Sequence, residues 1–255
     1  MNHSLFLVDG TTLVIRPWFA GVSAPWYLAL RTVERSMAGV SHMAVLMDRT
    51  IDTFRREIDP RYKAHRPPAP PDLIAHFDRF EAEVGKLGVT VLGDTTYEAD
   101  DYAATLARVA HEAGLPTRIL ANDKDLFQLV RETPPVVTED HKGKVIDRAG
   151  VIAKMGVPPE RIVDFQALVG DTSDGIIGVK GIGPKTAAAL LNAIGSLDAL
   201  YADLEAVRTL PIRGAKKLPE KLEAGREEAM LARRLARLVD DIDVGADILE
   251  HCRLT

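Results

Sequence analysis

The chain has 255 residues, 46% of them hydrophobic, enough for one large core or for a larger domain with a smaller one. Its single cysteine, Cys252, excludes an internal disulfide and a cysteine-rich zinc site, and the apolar stretch Leu5 to Val8 is too short for a signal peptide or a membrane span, so a cytoplasmic protein is expected. The net charge of −5 argues at first against a nucleic-acid partner, but it is segregated. Setting aside nine carboxylates that group together below leaves 28 acids against 32 Lys and Arg, a surface able to attract phosphate.

Three apolar runs read as buried parallel strands, each ending on aspartate: LFLVD at 5 to 9, MAVLMD at 43 to 48 and TRILAND at 117 to 123. Helix-like spacing covers 27 to 38, and YEADDYAATLARVAHEAG at 97 to 114 ends on Gly114. Alternation of this kind predicts an α/β fold with a doubly wound, mainly parallel sheet. Ligands of such sheets bind beyond the carboxyl ends of the strands, which would bring Asp9, Asp48 and Asp123 to one crevice. Between the second strand and the long helix, PRYKAHRPPAPP at 60 to 71 holds five prolines and reads as an exposed loop, part of an arch or clamp near 55 to 75. Basic residues gather there (Arg55, Arg56, Arg61, Lys63 and Arg66) and again in 208 to 237. From about 150 the pattern turns helical, so the expected domains are 1–155 and 156–255.

The acids fall in short clusters: Glu98, Asp100 and Asp101; Asp123 and Asp125; Asp171 and Asp174; with Asp9 and Asp48 they make nine. Glu98 and Asp101, three apart at a helix start, share one side, while Asp100 points about 100° away from its neighbour. Singly, such acids serve helix dipoles and turns. Together they need cations, because two carboxylates about 5 Å apart repel by roughly 3 kcal/mol at an effective dielectric of 20. Oxygen-only ligands select Mg²⁺ or Mn²⁺ over zinc, and two such ions about 4 Å apart can activate a water and stabilise a departing 3′ oxygen. In GVKGIGPKTAAALL, Gly181 and Gly183 allow a tight turn and close approach to a ligand, Pro184 suits the first helical position, and the amides behind it can hold a phosphate flanked by Lys180 and Lys185.

At these residues the sequence resembles the 5′-3′ exonuclease and flap-endonuclease family, including the 5′-nuclease domain of bacterial DNA polymerase I. The blocks VDG with Arg16, Asp48 with FRRE, YKAHRPP, YEADD, NDKDLFQL and GDTSDGIIGVKGIGPKTA occur in the family's order along nearly the whole chain. The resemblance implies a PIN-like nuclease domain with helices on both sheet faces, an arch, and a C-terminal helix-three-turn-helix region gripping duplex DNA. It implies a structure-specific 5′ nuclease using two Mg²⁺ ions, with Mn²⁺ able to substitute, acting on branched, flapped or nicked DNA in replication or repair. By the same carry-over, Asp9, Asp48, Glu98, Asp100 and Asp101 surround the first ion, and Asp123, Asp125, Asp171 and Asp174 the second. Asp9, Arg16, Asp48, Lys63 and Asp123 are the expected catalytic set; Arg16, Arg55, Tyr62, Lys63, Arg66, Lys180, Gly181, Gly183 and Lys185 face DNA. Backbone carbonyls near Leu168, Val169, Val179 and Ile182 correspond to a potassium site.

The interval from Asp9 to Asp48 is shorter than in the family, so trimmed early helices or a trimmed substrate pocket are expected. Gly175 and Ile177 stand where the family has Asn and Pro, predicting a looser loop, and no polymerase domain follows, predicting a stand-alone monomer whose polymerase partner the sequence does not identify. Two alternatives share the fold: a non-catalytic DNA-junction binder, and an RNA-directed nuclease, since a backbone-reading clamp separates RNA from DNA only through the 2′-OH.

Overall fold

The computed structural model describes residues 2–254. Packing divides them into two compact units that do not follow a linear split: 1–54, 66–147 and 239–255 form the first, 55–65 and 148–238 the second. The last stretch of chain therefore belongs with the first unit. No helix among the described residues is long and apolar enough to cross a membrane.

In chain order the first unit contains β1 (Asn2–Asp9), α1 (Gly10–Phe19), α2 (Pro25–Ser36), β2 (Val40–Leu46), α4 (Pro71–Lys86), β3 (Thr90–Leu92), α5 (Ala99–Glu112), β4 (Thr117–Leu120), β5 (Arg131–Glu132), β6 (Pro135–Glu139), β7 (Val145–Ile146) and α12 (Ile248–His251), with α3 (Phe54–Ile58) starting from its residue 54. The strand order is β3-β2-β1-β4-β6-β5, with β7 also paired to β6. β1 pairs in parallel with both β2 and β4, so the sheet winds one way from β1 to β3 and the other way from β1 to β6. β5 and β7 add antiparallel pairs at β6. The strand signals at 5–9, 43–48 and 117–123 are thus real, but β2 ends two residues before Asp48 and β4 three before Asp123, which places both acids in loops.

Alternation along β1 explains how both faces are covered. Phe6 and Val8 join Val14, Val33, Phe80 and Val84 in one buried cluster built from α1, α2 and α4. Leu5 and Leu7 point the other way, where α5 packs on β1, β2 and β4. The early helices are present, with α2 started by Pro25 at its first turn. The proline-rich segment is an irregular loop as expected, but it ends in a 16-residue helix, α4, that the arch reading did not include. Returning near the end, the chain is held by Val239 N donating to Asp101 Oδ1 at 2.9 Å, Met43 N to Cys252 O at 2.7 Å and Leu254 N to Ser41 O at 2.9 Å. Cys252 is buried, and burial pushes its thiol up to about 11, out of the reactive range.

The second unit holds the remainder of α3, then α6 (Arg148–Met155), α7 (Ile162–Val169), β8 (Gly170–Asp171), β9 (Ile176–Ile177), α8 (Pro184–Ile194), α9 (Leu197–Ala202), α10 (Leu218–Ala224) and α11 (Arg226–Ala236). α7 packs against α8 and α11. Arg233 pairs with Asp164 at 3.0 Å and with Asp198 at 2.6 Å, tying α11 to α7 and α9.

Candidate active site

Asp9 ends β1 and caps α1, its Oδ1 accepting the Thr12 amide at 2.8 Å. It is only 8% exposed. Asp48, half-buried, is held on both sides: its amide donates to Thr11 Oγ1 at 2.7 Å and its Oδ1 accepts the Ala99 amide, the first of α5, at 2.8 Å. The β2 loop is thereby clamped between the starts of two helices. Beyond β4, Asp123 Oδ1 accepts the Asp125 amide at 2.9 Å, a local turn that fixes both acids in one bend.

Asp100, in the first turn of α5, is where these charges add up. Its carboxyl is raised well above the usual range by loss of water and then by Asp123, Asp9, Asp48 and Asp125, in that order. Asp9 is pushed up to about 7, first by burial and then by Asp48, against the stabilising Thr12 bonds. Five carboxylates from four separate segments of the first unit thus repel one another beyond the carboxyl ends of β1, β2 and β4. Perturbation of this kind clusters at functional sites, which makes this group of carboxylates the candidate site.

Asp101 departs from the metal-ligand expectation. It is 0% exposed, and both oxygens accept main-chain amides: Oδ2 from Glu98 at 3.1 Å and Oδ1 from Val239 at 2.9 Å. The first bond is the return half of a capping box. Glu98, buried at the N-cap, accepts the Thr53 hydroxyl at 3.0 Å. The shared side that the spacing predicts for this pair is used to start the helix, while Asp100 lies among the other acids. Thr11 and Thr53 escaped the sequence reading; a hydroxyl two residues after an aspartate, or just before a short helix, is too common to single out.

In the second unit, Asp171 and Asp174 lie on the β8–β9 turn, both buried. Asp171 Oδ1 is anchored by the Ser173 amide at 2.9 Å and hydroxyl at 2.6 Å. Asp174 accepts the Tyr62 hydroxyl at 3.3 Å and lies 4.0 Å from Lys63 Nζ. Lys63 has φ of 49°, a rare left-handed conformation for a lysine, held by its amide donating to Asp174 O at 2.7 Å. Tyr62 is 2% exposed, so it cannot stack on a base; packing and its bond to Asp174 account for it. Arg55 is a second correction. It is 1% exposed and donates to Leu235 O at 2.9 Å and Arg237 O at 3.1 Å, satisfying carbonyls at the end of α11 rather than meeting phosphate. Arg16 and Arg66 are exposed in the first unit.

The loop at Gly175 is tight rather than loose. Gly175 has φ of +72°, and a Cβ there would fall 2.7 Å from Arg61 O. Only glycine fits this position. In the hairpin, Gly181 needs its φ of +81°, but Gly183 is extended at −96° with open space where a Cβ would project. The turn itself does not require Gly183; its smallness matters only to something approaching from outside. Lys180, Gly181, Gly183 and Lys185 are all exposed, and Pro184 opens α8 as the spacing predicts. Of the carbonyls named for potassium, Leu168 O accepts Val179 N at 2.9 Å and Val179 O accepts Ile182 N at 3.0 Å.

Residues 4–156 match the family model described as 5′-3′ exonuclease, N-terminal resolvase-like domain, and residues 157–255 that of its C-terminal SAM fold. The chain belongs to the 5′-3′ exonuclease family. It is 44% identical to DNA polymerase I of Pseudomonas aeruginosa over 96% of its own length and 28% of the relative's. With the thermostable DNA polymerase I of Thermus thermophilus it shares 36% identity over 95% of its length and 29% of that protein. The chain therefore spans less than a third of these curated relatives. Among solved structures, a variant of bacteriophage T5 5′-exonuclease superposes with a TM-score of 0.75 at 22% identity, covering 98% of this chain and 96% of that one, which establishes a common fold. The mainly parallel α/β sheet and the helical C-terminal region are the elements of that fold.

Proposed function

We propose that this chain is a Mg²⁺-dependent 5′ nuclease that hydrolyses phosphodiester bonds of flapped or nicked DNA, as an endonuclease at flaps and an exonuclease at 5′ ends. The observation that carries this reading is the gathering of Asp9, Asp48, Asp100, Asp123 and Asp125, where burial first and mutual repulsion second push Asp9 up to about 7 and raise Asp100 above its ordinary value. A set of carboxylate oxygens without His or Cys fits a hard divalent cation.

Magnesium held there would supply Lewis acidity and lower the pKa of a water for attack on phosphorus. The chain's own contribution is to fix the ligands before substrate arrives: Asp9 by its N-cap bond, Asp48 by Thr11 and Ala99, Asp123 by the Asp125 amide. Asp171 and Asp174 complete the family's acid set as ligands of a second ion, and Arg16 and Lys63 are the cations proposed to meet the scissile phosphate. The hairpin at Lys180 to Lys185 is proposed to hold duplex phosphates. A potassium ion there would use the remaining lone pairs of Leu168 O and Val179 O with the carbonyls of Val169 and Ile182. Action on DNA in replication or repair, as a cytoplasmic monomer, belongs to the same proposal.

Labelled flap, nicked, single-stranded and RNA-containing substrates, incubated with Mg²⁺, Mn²⁺, Ca²⁺ or EDTA, test it directly. Cleavage of the flap and nicked DNA in Mg²⁺ and Mn²⁺ alone is expected. Undiminished cleavage in EDTA would overturn the metal chemistry, and cleavage confined to RNA would overturn the substrate class.

A further inference from the structure

Beside these carboxylates the first unit has a cleft of about 530 Å³ whose lining, Arg16 apart, belongs neither to a family motif nor to the acid set. Its volume lies within the roughly 300–1,000 Å³ of small-molecule sites. α1 contributes Thr12 and Arg16, α2 contributes Leu28 and Arg35, β4 ends against it at Leu120, and the turn between β6 and β7 adds His141. It therefore opens at the carboxyl ends of β4 and β6, against the helices that follow β1, where the sheet reverses its winding, the region in which open α/β sheets bind ligands. Thr12 belongs both to the cleft wall and to the Asp9 cap.

Three features of the lining point to a phosphorylated ligand. Arg16 is exposed and forms no ion pair among the described residues; Arg35 uses Nε on Arg31 O at 3.0 Å and likewise has no carboxylate partner among them. The two acids of the lining are already engaged: Glu139 pairs with Arg118 at 3.1 Å, and Asp140 Oδ1 accepts the Lys142 and Lys144 amides at 2.9 Å each. Most telling is His141, whose Nε2 is buried with no hydrogen-bond partner among the described residues. Leaving such an atom unmatched is unfavourable, and a ligand atom would restore the missing hydrogen bond. Burial and then the Arg16 cation hold His141 below its ordinary value, so the ring is neutral at pH 7 and can donate one N–H. Leu13, Val22 and Leu28 supply an apolar wall suited to a sugar and base.

We propose that this cleft binds a nucleoside monophosphate moiety, its phosphate held by Arg16 and Arg35 with a hydrogen bond from His141 Nε2. The choice of a nucleotide over other phosphate esters rests on the nuclease reading. A free mononucleotide and the phosphorylated end of a DNA strand present the same chemistry.

The test follows amide chemical shifts of the full chain in EDTA, so that binding is read without cleavage. The probes are thymidine monophosphate, thymidine, glucose 6-phosphate and a 5′-phosphorylated tetranucleotide. Saturable shifts at Thr32, Leu120 and Gly143 are expected with the monophosphate, and affinity at least about tenfold weaker for thymidine and for glucose 6-phosphate. His141→Ala should weaken binding by about tenfold, the equivalent of one hydrogen bond, and His141→Gln should restore part of it. Tighter binding of the tetranucleotide would assign the cleft to a strand end, and tighter binding of the monophosphate to a free product; both support it. No saturable shift at tens of millimolar from either ligand, equal affinity for glucose 6-phosphate, or unchanged affinity in a folded His141→Ala protein would each overturn it. A protein that cleaves flaps yet fails here loses only the cleft, while one that binds here but never cleaves loses only the nuclease activity.

Discussion

Asp100 and Asp101 are neighbours on one helix turn and do opposite work. Asp101 is sealed in and accepts two main-chain amides, so its charge is spread over hydrogen bonds and stabilises the fold. Asp100 faces Asp123, Asp9, Asp48 and Asp125, so its charge is opposed by theirs. Residue type does not separate the proposed ligand carboxylate from the structural one; what separates them is the sign of the surrounding potential. A structural acid is surrounded by donors, and a ligand acid is surrounded by other acceptors that need a cation.

Replacing each of the two tests this contrast most severely. Asp100→Asn should lower single-turnover flap cleavage by about a thousandfold, roughly 4 kcal/mol of transition-state stabilisation. The metal-free protein should at the same time become more resistant to urea, because one repelling charge is gone. Near wild-type turnover, or a loss of stability, would remove Asp100 from the cation site.

Asp9 gives the contrast a pH dependence. Its folded value of about 7 lies above the ordinary 3.8, so the neutral form favours the fold. That stability is fully present below about pH 4 and is lost as pH rises through 7, by on the order of 4 kcal/mol in the absence of metal. Mg²⁺ competes with the proton for the same oxygens, so its stabilising effect should be larger at pH 8 than at pH 6. Calorimetric melting of the metal-free and Mg²⁺-loaded protein across this range reads both trends. A Mg²⁺ effect that does not grow with pH would contradict the assignment.

Asp101→Ala should act in the reverse sense to Asp100→Asn. Two main-chain amides, one buried and one half-buried, would lose their acceptor, for a loss of about 2–3 kcal/mol in urea unfolding. Cleavage by the protein that remains folded, with Mg²⁺ saturating, should fall far less than in Asp100→Asn. A catalytic loss as deep as that of Asp100→Asn, without a loss of stability, would return Asp101 to the ligand set.

Much of this arrangement was legible in the sequence, because a parallel strand ending on aspartate carries its own address: the buried run fixes the strand, and the sheet's topology fixes which end is the crevice. Asp9, Asp48 and Asp123 were located that way. Spacing also showed that Asp100 diverges from Asp101, but not which of the two faced the other acids, since that depends on the amide of Val239, 138 residues away. Arg55 and Tyr62 misled for a related reason. A basic or aromatic residue beside a proline-rich loop reads as surface, and only the packing of 55–65 onto α11 reveals that α11's terminal carbonyls claim Arg55. α4 was hidden by its own start, Pro70 and Pro71, which signals a loop and a helix N-terminus equally well. His141 carried no signal at all, being a lone histidine in a polar turn.

The same contrast between like residues recurs in the hairpin, where the expected effects are smallest. Gly181 sits at φ of +81°, whereas Gly183 sits at −96° with nothing within 4 Å of the place a Cβ would take. Gly181→Ala should therefore cost about 1 kcal/mol of stability, the penalty of a left-handed alanine; the Lys221 ammonium that its Cβ would approach at 3.2 Å is the end of a flexible chain and can move aside. Gly183→Ala should leave stability unchanged, so any loss of DNA affinity in that variant reports a phosphate approaching the backbone. Lys185→Ala should lower the dependence of log affinity on log salt by about one unit, as expected for one phosphate contact, and should weaken all sequences alike. Flap affinity against salt concentration, measured with urea unfolding for the three variants, separates the two glycines. If Gly183→Ala binds as wild type and Lys185→Ala keeps the full salt slope, the open space at Gly183 has no phosphate in it, and the hairpin serves only to join its helices.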